Sequence, residues 1–355
     1  MGILTSLLVI SLLIFIHELG HYLAARFFGV KVERFSIGFG PVIARKECCD
    51  TEWAISAFPL GGYVKMKGQD DLDPLKRSSD PDSYNAKKPW QRIIILLAGP
   101  FANFFLAFVL YVAVAMMGFN ELAPKIGKVM PDSPAMQAGL KEKDRVLAIN
   151  GKRVQTWQDL SQIIAASGNQ PLIFTVDREG KILDVKVKPK VMQTKNIFGE
   201  TIFKPMVGIS PAPEFIKVSY SPVEAIKIGF DKTIEASLFI VKGIQKMIEG
   251  VVPAKELGGF ITIMDITAKA SEAGIVALLT FTALISVNLG VLNLLPIPAL
   301  DGGHIMFNLY EWISGRAPSE EVLYRLTLAG WVFLIGLMGL GLYNDINRLI
   351  GAYSG

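Results

Sequence analysis

Charge is scarce in this chain. Only 19% of its 355 residues are Asp, Glu, Lys or Arg, 51% are hydrophobic, and the mean hydropathy is +0.40. That composition excludes an ordinary soluble protein of this length and points to an integral membrane protein. Cysteine is nearly missing: Cys48 and Cys49 are neighbours, poorly placed to close a loop, and a pair without a nearby histidine is a weak metal signal. We read them as incidental thiols on a reducing side. A net charge of +4 is small for a chain of this length, and no basic cluster in it suggests nucleic acid. The first apolar run also lacks the basic start and small-residue cleavage site of a signal peptide, so it is expected to remain in the mature protein.

Long apolar runs are present. Stretches that reach the roughly 20 residues needed to cross a bilayer occur at about 3–28, 91–118, 274–295 and 326–343, which predicts four transmembrane helices. Residues 29–90 carry ten Lys and Arg, whereas none precedes the first run. The positive-inside rule therefore predicts that 29–90 is cytoplasmic and the N-terminus outside. By parity, 119–272 lies on the outer side, the loop 296–325 is cytoplasmic, and the C-terminus is outside.

The informative polar residues sit within the first run, at His17-Glu18-Leu19-Gly20-His21. Residues four apart share a helix face, so His17 and His21 can offer two imidazoles to one metal while Glu18 faces the water it would bind. Each ionisable group at membrane depth costs about 2.5 kcal/mol or more, so three within five residues require compensation such as a cation. A further ligand must come from a helix end on the same side. The third run ends there, with Pro296 and Pro298 breaking the helix, Gly302 and Gly303 permitting a tight turn, and Asp301 able to point a carboxylate back. Two histidines and a carboxylate leave one position for water, as in catalytic zinc. His304 competes as a ligand, but a supporting or packing role suits it better. Asn103, Asn288 and Asn293 are polar groups within or at the ends of spans. Asn293 and Asn288 are candidates to hold substrate backbone, Asn103 to pair helices, and interhelical bonding is open for all three. A zinc transporter is disfavoured because the other runs supply no chain of ionisable residues.

His17-Glu18-x-x-His21 running into Ala25-Arg26, with Asn293-x-x-Pro296-x-Pro298-x-x-Asp301-Gly302, resembles the site-2 protease family of intramembrane metalloproteases. It is most similar to the bacterial branch that cleaves anti-sigma factors, the regulator of sigma-E protease type. Gly38-Phe39-Gly40, the run Pro59 to Met66, Ala98-Gly99-Pro100-Phe101-Ala102-Asn103 and Val287-Asn288-Leu289-Gly290 agree in order. The resemblance implies Zn2+ bound by His17, His21 and Asp301, with Glu18 catalytic. It also implies a single-pass membrane protein as substrate, and a multi-pass location in the bacterial inner membrane.

Residues 30–66 alternate apolar and polar side chains and read as a small membrane-associated β-structure. The resemblance implies that Gly61, Gly62, Tyr63 and Val64 hold an unwound substrate by edge pairing; a hairpin that only plugs the bundle is the other reading. The segment Ser133-Pro134-Ala135-x-x-Ala138-Gly139-Leu140, with strand-like runs around it, resembles a circularly permuted PDZ domain, implying a periplasmic peptide-binding module with its carboxylate loop near Val207 to Ile209. Residues 221–250 are amphipathic and favour lying flat at the interface over a fifth span. The expected fold class is thus membrane α-helical, with four transmembrane helices, a small β-structure and an inserted extracytoplasmic PDZ domain. The divisions are 1–118, 119–212 for the PDZ domain, 213–272 for the interfacial region and 273–355. The non-enzymatic alternative is a PDZ membrane scaffold with a structural metal.

Overall fold

The computed structural model describes residues 2–69 and 78–353. The chain forms two compact units, one from 1–114 with 222–355 and the other from 115–221. The first begins with helix α1 (Gly2–Phe27), strands β1 (Val32–Cys48) and β2 (Thr51–Met66), and helix α2 (Pro89–Met117). The two strands are long because glycines bend them without ending them: Gly38, Gly40 and Gly61 have φ of 89°, 87° and 136°, where a Cβ would be strained. The bent strands pair more than once. Phe35 faces both Val64 and Trp53, and Ile37 faces both Gly62 and Ile55, while 42–48 pairs with 51–56. Among the described residues no strand pairs with 62–66 on its other side. Aromatic packing fixes the sheet on α1: Phe35 stacks on Trp53 at 4.6 Å between ring centroids, and Tyr22 meets Trp53 edge-on at 5.1 Å. Cys48 and Cys49 lie exposed beside the turn joining the strands.

The second unit contains β3 (Phe119–Leu122), β4 (Ile126–Val129), α3 (Pro134–Gln137), β5 (Arg145–Ile149), β6 (Lys152–Arg153) and α4 (Trp157–Ala166). It continues through β7 (Leu172–Arg178), β8 (Lys181–Val187), β9 (Lys190–Lys195), β10 (Thr201–Met206), β11 (Ile209–Pro211) and β12 (Phe215–Val218). A four-stranded sheet in the order β6-β5-β7-β8 encloses a core including Val146, Ile149, Leu160 and Phe174. A capping box starts α4, with Thr156 and Asp159 each bonding the other's backbone N–H. The buried Asp144 carboxylate takes a two-pronged bond from Arg178, both contacts at 2.7 Å. The unit is wider than 119–212 because β12 pairs with β3 and closes a stem.

The chain then returns to the first unit through α5 (Pro222–Ile248), α6 (Phe260–Glu272), α7 (Ile275–Asn293), α8 (Asp301–Ser314) and α9 (Glu320–Tyr353). Among the described residues, four helices are long and apolar enough to cross a membrane: α1, α2, α7 and Glu320–Gly351 of α9. The amphipathic α5 is packed: its buried small face, Ala225, Gly229, Thr233 and Ala236, lies in the bundle, with Gly229 against Val112 and Ala236 in a cluster with Ala107 and Ala283. Two expectations change. The fold is mixed helix and sheet rather than simply α-helical, because β1 and β2 extend through their glycines and the second unit is largely strand. The segment 296–325 is no simple loop, since α8 occupies half of it.

Candidate metal centre

His17 and His21 lie one turn apart on α1, 7% and 5% exposed, and their Nε2 atoms are 3.2 Å apart. Asp301 opens α8, and its Oδ2 lies 3.3 Å from His17 Nε2 and 3.4 Å from His21 Nε2. Three ligand atoms held about 2.0–2.1 Å from a tetrahedral centre are separated by about 3.3 Å, so this triangle fits zinc. The hydrogen bonding fits as well. His21 Nδ1 is 2.8 Å from the Ile95 carbonyl, which can only accept, so Nδ1 carries the proton and Nε2 presents a lone pair to the centre. Asp301 Oδ2 is buried with no hydrogen-bond partner, an unfavourable state for a carboxylate oxygen that a cation relieves.

Glycines make these approaches possible. A Cβ on Gly20 would come 2.2 Å from the Ala98 carbonyl oxygen, and one on Gly99 would come 2.2 Å from His21 Nε2. Helices α1 and α2 therefore meet backbone to backbone, and the imidazole occupies space a side chain would fill. Gly302 and Gly303 act similarly rather than forming the expected tight turn. They lie in the first turn of α8, and a Cβ on either would come within 2.3 Å of the Leu295 or Ile297 carbonyl oxygen. The helix thus seats on the proline-broken loop that precedes it. Its far end is tied down by an ion pair between Arg92 of α2 and Glu311, and by Asn308, which donates to Tyr84.

Glu18 lines a cleft of about 370 Å³ with His17, His21 and Asp301, and Gly62, Tyr63 and Val64 form the facing wall. Gly62 passes so close that a Cβ there would be 3.4 Å from Glu18 Cγ. Gly61 is not in the cleft lining; it turns the strand beside the Phe39 ring. His304 lines the cleft without joining the ligand triangle and meets Phe307 edge-on. Asn293 Nδ2 is 3.3 Å from His17 Nε2, and neither it nor Asn288, five residues earlier on α7, is among the residues lining the cleft. Asn103 does more than pair helices. Fully buried, its amide is 3.1 Å from His17 Nδ1, and its Oδ1 has no partner. Turned so that Oδ1 faces the imidazole, the amide accepts the Nδ1 proton and leaves His17 Nε2 free for metal. Its place within an apolar span was the available signal.

The family model described as Peptidase family M50 matches residues 5–337. A protein of Campylobacter jejuni, named a zinc metalloprotease, is 48% identical over 98% of this chain and 94% of its own. Similar relatives, also so named, occur in Helicobacter pylori at 38% identity, covering 98% of this chain and 99% of theirs, and in Clostridium acetobutylicum at 34%, covering 95% of each. Among solved structures, the PDZ domain of the SdrC-like protein of Listeria monocytogenes is similar to 26% of this chain and covers 88% of its own, at 17% identity and a TM-score of 0.21.

Proposed function

Because the chain belongs to peptidase family M50, and is therefore a zinc-dependent metalloprotease, we propose that it cleaves peptide bonds within the membrane at a centre made by His17, His21, Asp301 and Glu18. One observation carries this reading: two imidazole nitrogens and a carboxylate oxygen from α1 and α8 converge to within 3.4 Å of one another, with Glu18 in the same cleft. A set of two histidines and one carboxylate leaves a coordination position for water. Zinc, when bound, supplies a Lewis acid that polarises the scissile carbonyl and makes the attacking water more acidic. The Glu18 carboxylate takes that water's proton and later returns it to the departing amide nitrogen. Asn293 Nδ2 donates to the substrate carbonyl as negative charge gathers on it.

A peptide bond inside a helix is shielded by its neighbours, and its carbonyl is already bonded, so the substrate must be drawn out before cleavage. The unpaired side of 62–66, facing Glu18 across the cleft, supports pairing with an extended substrate. The substrates are single-pass membrane proteins, anti-sigma-factor-like or signal-peptide-like segments, trimmed first on the outer side and then releasing a cytoplasmic fragment. The protein resides in a bacterial inner membrane, and the Lys and Arg of 29–90 favour the second unit being periplasmic. That unit is a PDZ domain, taking a chain end near Val207 to Ile209.

The test uses purified protein and a panel of single-span substrates. Glu18→Gln is expected to keep full zinc content while cleavage falls by about 10²–10⁴-fold. Chelation should silence the wild type, and added zinc should restore it. Wild-type turnover by Glu18→Gln would remove Glu18 as base, and cleavage indifferent to chelation would remove the metal from the reaction.

A further inference from the structure

The second unit has a basic cleft of about 530 Å³ that no step above uses. Lys186, Lys188 and Lys190 line it together with Gln137 and Asn169. The three exposed lysines alternate with the buried Val187 and Pro189 across the junction between β8 and β9, and all three line this cleft. Beyond the cleft, β9 and β10 pair only with each other among the described residues. Such a ribbon is marginal by itself and should not favour exposed apolar groups. Yet Phe203 is 70% exposed and Ile197, at the turn, 76% exposed. Val191, which reaches into the cleft, is 43% exposed. Gln193 lies opposite Phe203 and Val191 opposite Pro205, so Val191 and Phe203 share the face that also carries Lys195. The turn is ordered: Asn196 Oδ1 accepts from the Phe198 and Glu200 backbone N–H groups. Residues 186–206 hold five lysines against the single acid Glu200.

We propose that this cleft and ribbon form a binding site for anionic phospholipid, with a headgroup phosphate among Lys186, Lys188 and Lys190, and Ile197 and Phe203 set into the bilayer interface. Charge and apolarity both favour this occupant, since lysines beside exposed aromatic and aliphatic groups match a surface that is anionic outside and apolar just beneath. Tethering adds to it. The unit is joined at one end to α2, a helix apolar enough to span, and at the other to α5, so its concentration at a membrane surface is permanently high. An acidic peptide would satisfy the lysines but leave the turn's apolar groups unexplained. The site would hold the outer unit against the bilayer in which its substrates lie.

The experiment places full-length protein in nanodiscs of phosphatidylcholine with or without phosphatidylglycerol. A single environment-sensitive dye is attached at Ile197→Cys or, as control, at Ser167→Cys, in a Cys48→Ser/Cys49→Ser background. Expected are a blue shift and quenching by headgroup-labelled lipid at Ile197 only, dependent on phosphatidylglycerol. Lys186→Gln/Lys188→Gln/Lys190→Gln should weaken that response by about fivefold per lysine removed. Far-ultraviolet circular dichroism and retained cleavage of a reference substrate verify that the triple variant is folded. A signal at Ile197 matching Ser167 in both lipids, or one indifferent to the lysines, would overturn the proposal. So would a response given by inorganic phosphate or a polyglutamate peptide and absent with anionic discs.

Discussion

Gly99→Ala separates two physical accounts of α2. Helix propensity predicts that replacing a glycine inside a helix by alanine stabilises it by about 1 kcal/mol. The geometry predicts damage to the site, because the added Cβ would lie 2.2 Å from His21 Nε2 and 2.6 Å from Cε1, where ordinary contact begins near 3.4 Å. The ring must therefore move by about 1 Å, and its 2.8 Å bond to the Ile95 carbonyl cannot survive such a shift unchanged. Misplacing a catalytic group by about 1 Å costs on the order of 100-fold in rate, or about 2.7 kcal/mol of barrier. Disturbing the bond that orients a ligating histidine costs a further 10–100-fold or so in metal affinity. The assay is zinc content in a metal-buffered solution, read beside cleavage of a single-span substrate and the thermal midpoint in detergent. Gly336→Ala on α9, where a Cβ meets nothing within 4 Å, serves as control. We expect Gly99→Ala to lose zinc and activity while its midpoint stays near that of wild type, and Gly336→Ala to lose neither. Full zinc occupancy with normal turnover in Gly99→Ala would refute the packing argument for His21.

Other variants probe the supports of the site. Asn103→Asp keeps an acceptor for the His17 Nδ1 proton and should retain zinc, whereas Asn103→Leu should bind it about 10–100-fold more weakly; equal affinities would dismiss Asn103 as a positioning residue. Glu311→Gln leaves Arg92 without its charged partner, so zinc affinity and α8 protection should fall together by hydrogen exchange, and unchanged exchange across 301–314 would show that the pair does not hold the helix. Asp345→Ala removes the carboxylate that accepts the Gly259, Ile261 and Thr262 N–H groups, each orphan costing about 1–3 kcal/mol. Exchange at 259–262 should accelerate, and protection there equal to wild type would count against this cap.

The four candidate spans and the two halves of the candidate metal site were legible in the sequence for a shared reason. Apolar length and ionisable groups at membrane depth are both costly patterns that little else produces. Helix α8 was hidden because Gly302 and Gly303 read as a turn, and only the carbonyls of Leu295 and Ile297 beside them reveal close packing instead. The turn at Gly258 and Gly259 was equally opaque. It is fixed by Asp345, 86 residues beyond Gly259, and a pattern of local periodicity carries no sign of such a partner. Asn103 was visible as an anomaly in an apolar run, but its role needed the knowledge that α2 faces His17. Asn288 was visible for the same reason, but the helical angle of five residues separates it from Asn293, which alone of the two approaches His17.

Helix α2 supplies none of the candidate metal ligands, yet it orients nearly all of them. The Ile95 carbonyl sets the tautomer of His21, the gap at Gly99 admits that ring, and the Asn103 amide addresses His17. Arg92, one turn before Ile95, grips α8 and thereby the helix that begins with Asp301. Ser286 of α7 donates to the Asn103 carbonyl at 2.8 Å, which ties the helix ending in Asn293 to the same reference. A single rigid helix therefore registers imidazoles from α1 against a carboxylate from α8, and does so through contacts that are individually small. Substitutions along this face should appear first as weakened zinc binding and only later as unfolding, since the apolar packing that dominates stability lies elsewhere on the helix. That ordering distinguishes a scaffold built to position ligands from one whose polar contacts merely hold the bundle together, where stability and zinc would be lost in step.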